Sequence, residues 1–476
     1  MTSTPTTTRP APAAPSRLRA DTDWLAASRV TFAEAGGLSA KGMRQLLRLV
    51  GRLLLSLLRT FVAMLWCAWY TPALLRALTV WRHVMTRAGI GQIKVMPMAG
   101  WEPYPQEKPR RAPRRWGAVL TPTGYRLKLR LRHGQTYEDV VKAIPALSSS
   151  LRGNVRVSRH RRRTHLVYVW VQKRDPFRRV RKPVALSATR LRVGVLETGR
   201  PFVLDLRERP HWLLVGATGS GKTRGLAAIL AALAPTDAVV CVIDLKWGVA
   251  AASYAERASV VAESQDQAVD VLGDLLALGA ARAEVCKTVG VDSVYDLDRD
   301  ARPPEVVCVI DEIAELAIPQ EGTRDAKALA ADGMSKLLRC VQLLRSFGIH
   351  VIVAGQRFSV SIAPRATDIR AQLSGRVCLR VEDAETADMA VGDLTDDREP
   401  VAAALRLPVE QPGCGVASGG LDGWQRIRLA HVSHAKLATV AAANLERRTP
   451  WDRIVSETAG VQIPADAGDL EEGQNR

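Results

Sequence analysis

Residues 216–223 read Gly216, Ala217, Thr218, Gly219, Ser220, Gly221, Lys222, Thr223, the pattern G-x-x-x-x-G-K-[ST]. Glycines at this spacing let the backbone turn so that successive N–H groups face one point, which suits a polyphosphate. Lys222 is placed to reach the β and γ phosphates of ATP, and Thr223 to hold a Mg²⁺ ion beside them. A glycine-rich turn with a surface lysine can share the pattern, so the flanks carry weight. The apolar run 212–215 leads in, and a helical segment, 224–233, leads out and stops at Pro235.

A second station follows. Five apolar residues, 306–310, end in Asp311 and Glu312. A buried strand of that length delivers both carboxylates to the edge of an open α/β sheet where ligands bind. Asp311 is then a metal ligand beside Thr223, and Glu312 orients and deprotonates an attacking water. A third apolar run ends in Ala354, Gly355, Gln356 and Arg357, which puts Gln356 on the same edge as a sensor of the γ phosphate. Hydrolysis also needs a positive charge at the transferred phosphate, and Arg376 and Arg345 are the candidates for an arginine supplied to a neighbouring subunit.

These stations require a scaffold. Segments 212–215, 239–243, 306–310, 350–354 and 377–381 are short and apolar without alternation, alternating with helical stretches. Such runs belong to strands buried on both faces, which predicts an α/β fold built on a parallel sheet. Upstream, Tyr125, Leu127, Leu129 and Leu131 alternate with Arg126, Lys128, Arg130 and Arg132. That strand, a helix over 136–151 and strands near 155–157 and 166–171 predict a small α+β module with one basic face, to which Arg159 and Arg161 to Arg163 are assigned.

Charge divides the chain in the same place. Residues 1–200 carry 38 Lys and Arg against 9 Asp and Glu, while 201–476 carry 29 against 39. A front portion at +29 calls for a polyanionic partner. The composition, 47% apolar and 24% charged over 476 residues, is that of a globular protein of several domains and excludes collagen-like and wholly disordered chains. Seven scattered cysteines with no C-x-x-C pair argue against a disulfide scaffold or a cysteine zinc site and fit a reducing compartment.

The remaining segments complete the expected layout. Residues 1–40 form a polar, Thr/Pro/Ala-rich tail, 41–92 membrane-associated helices and 93–116 a linker rich in Pro and Arg. The small basic module spans 117–185, the nucleotide domain 186–440 and a C-terminal tail 441–476. Within 47–89, Arg residues flank an apolar stretch with Trp66, Trp69 and Tyr70 at one end, as at a membrane interface, and the pattern from Thr71 onward is amphipathic. A soluble helical hairpin or an oligomerisation helix is the alternative. The first reading puts the chain on the cytoplasmic face of the cell membrane with its nucleotide domain in the cytoplasm.

The segments 210–223, IDLKWG (243–248), VIDEIAEL (309–316), RSFGIHVIVAGQR (345–357) and IRAQLSGRVCLRV (369–381) resemble, in order, the motifs of the FtsK/SpoIIIE family of DNA translocases. The resemblance covers about 220 residues, and 117–177 and 412–433 extend it more loosely. It implies a RecA-like P-loop motor that assembles as a hexameric ring and pumps double-stranded DNA. It supports the roles given to Lys222, Thr223, Asp311, Glu312 and Gln356, and favours Arg376 over Arg345. Phe358 stands where the family usually has proline after its QR, and the family's multi-span membrane domain and C-terminal winged helix find no match. The compact layout is similar to the plasmid- and integrative-element transfer proteins of mycelial actinobacteria. The function expected is an ATP-driven DNA translocase serving conjugation; the alternatives are a type VII-like protein-secretion motor and a chromosome-segregation pump.

Overall fold

The computed structural model describes residues 64, 65, 68, 70–78, 85 and 114–456, apart from 122, 133, 161, 162, 357–364, 396, 397 and 420–422. The chain divides into two units, Met1–Trp69 and Tyr70–Arg476, and the second holds the elements that follow. Most of the segment expected at the membrane, 47–89, lies outside the described residues, as do Arg357 and Phe358. Among the described residues no helix is long and apolar enough to cross a membrane.

The small module is a four-stranded antiparallel sheet in the order β1 (Arg114–Thr121), β2 (Gly124–Arg130), β4 (Leu166–Gln172), β3 (Asn154–Arg159). Its helical region is two helices, α1 (Tyr137–Lys142) and α2 (Ile144–Leu151). Thr136 opens α1 with a reciprocal capping box to Asp139, and Pro145, lacking an N–H, divides the two at Ala143. The alternation of β2 works as read: Tyr125, Leu127, Leu129 and Leu131 are buried under the helices.

Two expectations at this end need correction. β1 starts inside the segment read as linker. The helical residues 70–78 bury Ala77 and pack Ala73, Leu74 and Leu78 against the module's core, joined by Met85, so an apolar stripe read as lipid-facing is covered by protein. An amphipathic helix reports that one face needs an apolar partner and says nothing of which partner it finds.

The second half is built on one large sheet, in the order β10 (Val260–Ala262), β9 (Val239–Ile243), β11 (Val306–Ile310), β12 (Ile349–Gly355), β8 (His211–Val215), β13 (Gly375–Leu379), β14 (Cys414–Ser418), β15 (Trp424–Leu429), β6 (Arg190–Leu196), β5 (Val184–Ser187), with β7 (Pro201–Asp205) also paired to β6. The five apolar runs named from the sequence coincide with β8, β9, β11, β12 and β13. The parallel sheet expected is correct only for the six strands from β10 to β13; every pairing from β13 to β14 onward is antiparallel, so the sheet is mixed. β5 also straddles the boundary placed at residue 186.

Both faces of the parallel half are covered, which is why its strands lack polar alternation. Leu213, Cys241, Cys308 and Val351 face one core, packed by α4 (Gln265–Val289) and α5 (Arg324–Leu343); Trp212, Val240, Val307 and Ile352 face the other, packed by α3 (Lys222–Leu233). The helix Trp451–Ser456 buries Ile454 in the first core, and Trp451 Nε1 donates to Asp274 Oδ2 at 3.0 Å. The segment from 441 is therefore docked to 456 and not a tail from its start.

Candidate nucleotide site

β8 runs straight into the glycine loop, which three neighbours hold. Gly216 N donates to Gly355 O (3.2 Å), Ala217 N to Arg380 O (2.9 Å), and Ser220 O accepts from Gly413 N (2.7 Å). Gly221 has φ +97°, and a Cβ there would lie 2.6 Å from Gly413 N, so both conformation and closeness demand glycine. It is also the N-cap of α3, which sets that helix's positive end behind the loop.

Lys222 and Glu312 meet. Lys222 Nζ lies 2.8 Å from Glu312 Oε2, and both side chains are buried. The parallel pairing of β8, β12, β11 and β9 carries both residues to the same carboxyl edge of the sheet. Glu312 Oε1 accepts the backbone N–H of Gln356 at 3.1 Å, and Gln356 Oε1 accepts from the Thr218 hydroxyl at 3.4 Å. Thr218, Glu312 and Gln356 line a cleft of about 430 Å³, the size of a small-molecule site. Burial pushes the Glu312 carboxyl upward, but Lys222 and Lys246 outweigh it and hold the group below the usual value for glutamate.

Asp311 behaves in the opposite way. Burial raises its pKa, Asp244 and Glu312 add to that, and Lys222 and Lys246 only partly oppose them. Its Oδ1 is buried without a hydrogen-bond partner, and Asp311 and Thr223 border the same small cavity. An orphaned carboxylate oxygen beside the hydroxyl-bearing residue that follows the loop lysine fits a hard divalent cation such as Mg²⁺.

The two arginines lie elsewhere. Arg376 is near the start of β13 and Arg345 in the exposed turn before β12, so neither is at the carboxyl edge of its own subunit. A residue acting in trans need not be there. The Arg376 guanidinium, however, is buried and occupied: it donates to Leu373 O (3.2 Å), Arg370 O (3.2 Å) and Asp393 Oδ2 (3.1 Å). Reaching a neighbour would require it to leave all three.

Two cations were given no role from the sequence. Lys246 Nζ lies 2.9 Å from Glu312 Oε2, and Arg380 Nη2 donates to Thr218 O at 3.0 Å. Each stands just past the end of a parallel strand, β9 or β13, and that position was the available signal.

On the small module, the outer face of β2 carries Arg126, Lys128 and Arg130 as expected. The Arg126 guanidinium lies 4.8 Å and 5.0 Å from the ring centres of Tyr168 and Trp170 on β4, and Lys128 Nζ lies 5.9 Å from Tyr168. These rings hold the cations on one surface. Arg159 does not join them: it pairs with Glu138 at 2.5 Å and lies over Tyr137, on the helix side of the sheet. Arg161 and Arg162 lie outside the described residues.

The profile of the FtsK/SpoIIIE family matches residues 177–301. Transfer protein TraSA of Streptomyces ambofaciens is 32% identical over 395 residues, 78% of this chain and 92% of the relative. A sporulation regulatory protein of Streptomyces azureus is 34% identical over 279 residues, covering 58% and 88% of the two chains. Among solved structures, the pCW3 conjugation coupling protein TcpA, in its monomer form with ATPγS, aligns with a TM-score of 0.51 at 19% identity, over 70% of this chain and 94% of that one, which shows a shared fold. A P-loop fold with a mixed sheet, the family's motifs in order and a relative aligned over nearly its whole length establish that the chain belongs to the FtsK/SpoIIIE family.

Proposed function

We propose that the chain is an ATP-driven translocase of double-stranded DNA that moves plasmid or integrative-element DNA between cells in conjugation. One observation carries the reading: the loop lysine shares a buried ion pair with the strand-end glutamate, which lines a cleft together with Ala217 and Thr218 of the glycine loop. The incoming triphosphate takes Lys222, which exchanges Glu312 for the more highly charged partner. Glu312 then accepts a proton from a water that attacks the γ phosphorus, the bond to the bridging oxygen of ADP breaks, and phosphate leaves. Thr223 and Asp311 would hold the Mg²⁺ ion, which neutralises charge developing on the phosphates. Gln356, hydrogen-bonded to both Glu312 and Thr218, reports whether the γ phosphate is present.

The polyanion is gripped through the +29 front portion, with Arg126, Lys128 and Arg130 forming part of the surface. Six copies form the working ring, each completing its neighbour's site with a trans arginine. The apolar stretch before Tyr70 attaches the chain to the cytoplasmic face of the membrane; the helix after it is already engaged by the small module.

Duplex DNA should stimulate hydrolysis by the full chain, and the stimulation should fall steeply between about 50 and 200 mM salt because each contacted phosphate releases counterions. A rate of phosphate release indifferent to duplex DNA at both salt concentrations would sink the proposal.

The trans arginine is tested separately. Arg376→Ala should lower the melting temperature of the nucleotide-free monomer, since three acceptors lose a buried donor at about 1 kcal/mol or more in total. Arg345→Ala should leave melting unchanged and reduce turnover of the assembled form. An Arg376→Ala monomer that melts like the wild type while its assembly loses turnover would reverse the assignment.

A further inference from the structure

The loop after β9 brings to Glu312 a cation that the mechanism above does not use. Lys246 Nζ and Lys222 Nζ both lie against Glu312 Oε2, at 2.9 Å and 2.8 Å, while Oε1 takes the Gln356 N–H. A carboxylate offers about four acceptor sites, so three protein donors leave about one. ATP would remove Lys222, because that lysine belongs to the phosphate loop. Nothing in that exchange displaces Lys246.

The loop carrying Lys246 is tied down and held under strain. Asp244 is buried; its Oδ1 accepts from Lys246 N at 3.1 Å and its Oδ2 from Ala250 N and Ala251 N at 2.9 Å each. Between these anchors, Trp247 has φ +60° and is 90% exposed, and Val249 is 68% exposed. Gly248 has φ +67°, where a Cβ would strike the Glu263 carboxylate. A bulky residue in the left-handed region costs about 1–3 kcal/mol and persists only when its surroundings enforce it. Its exposed ring forms no part of a core that could explain the strain. Because Asp244 binds both ends of the turn, a displacement of the Trp247 tip is passed to Lys246.

We propose that Lys246 is a positioning residue that restrains hydrolysis: it keeps Glu312 engaged after nucleotide has taken Lys222, and Glu312 is released to water only when the Trp247 loop shifts. This rests on the reading of Glu312 as the group that activates water. Lys246 touches neither water nor phosphate in this role; it acts through Glu312.

The test uses the full chain without DNA. Lys246→Ala should raise kcat for ATP hydrolysis about three- to tenfold, the scale of one lost charged hydrogen bond at a half-exposed site, with KM unchanged. Lys246→Arg, which can still donate to Oε2, should restore the restraint. A lower kcat or a higher KM for Lys246→Ala would mean that the lysine serves the phosphates and would overturn the proposal, as would unchanged kinetics. A second measurement does not pass through turnover. In the nucleotide-free chain, Glu312→Gln should speed backbone hydrogen exchange across 245–250, since the loop loses its charged partner; unchanged exchange there would also overturn it. The two readings fail differently: a Glu312→Gln chain that still hydrolyses ATP removes the role of Glu312, whereas Lys246→Ala kinetics equal to wild type remove only the restraint.

Discussion

Glu312→Gln should bind ATP at least as tightly as the wild type and hydrolyse it about 10²- to 10⁴-fold more slowly, the range a positioned general base contributes. The amide keeps the shape of the side chain and can still accept the Gln356 N–H, so the loop geometry survives. What it loses is the negative charge that holds Lys222 at 2.8 Å and competes with the triphosphate for it. Binding and turnover therefore move in opposite directions, an outcome that a misfolded site cannot imitate. Equilibrium titration with a fluorescent ATP analogue, read beside phosphate release, checks both halves. Turnover within about tenfold of wild type would remove Glu312 from the chemistry.

The largest effect on stability is expected at Arg257, which is fully buried. Its Nε donates to Ala234 O at 2.9 Å and its Nη2 to Thr236 O at 2.7 Å and Ala238 O at 3.0 Å, closing the chain between the end of α3 and the start of β9. Burial lowers the pKa of the guanidinium, with Tyr254 and Asp237 opposing the shift. Arg257→Met fills much of the volume but leaves three buried carbonyls without a donor. A loss of about 2–4 kcal/mol follows, on the scale of roughly 1 kcal/mol or more for each buried acceptor left without a donor. Thermal melting should fall by several degrees, and Arg257→Lys, with fewer directed donors, should lie between the two. Because α3 begins at the phosphate loop, ATP affinity should weaken together with stability. Arg257→Met melting at the wild-type temperature would show that the three carbonyls find other donors.

The parts of this molecule that could be read without coordinates are those in which local pattern and local geometry coincide. The glycine loop is one: at Gly221, backbone conformation alone excludes other residues, and the lysine and threonine follow at fixed spacing. The five apolar runs are another. Unbroken Val and Ile stretches record burial on both faces, and burial on both faces in an α/β chain means a parallel strand whose carboxyl end carries function. Lys222 and Glu312 therefore fall on one edge, and they are in hydrogen-bond contact.

Where the sequence is silent, two arrangements share one local pattern. The amphipathic stripe over 71–78 fits a lipid surface and the core of a β-sheet equally well, and it lies in the latter. β14 and β15 have the composition of strands, but the direction in which a strand joins a sheet depends on its connection and not on its side chains, so the antiparallel half went unread. Arg159 is one more basic residue in a basic stretch until the pleat turns it toward Glu138. Arg376 precedes an apolar run as any surface arginine might, yet the carbonyls of Arg370 and Leu373 and the carboxylate of Asp393 enclose it once the chain has turned into β13.

Local order along the chain therefore settled which elements form, which of their faces are buried and where phosphate chemistry resides, because those follow from torsion angles and hydrophobic period within a few residues. Packing settled which cations are committed and to what, with Lys246 on Glu312 as the sharpest case. Charge pairing falls off over a few ångströms of space and does not depend on separation in sequence, so residues 66 positions apart could be matched only once the sheet had brought them together.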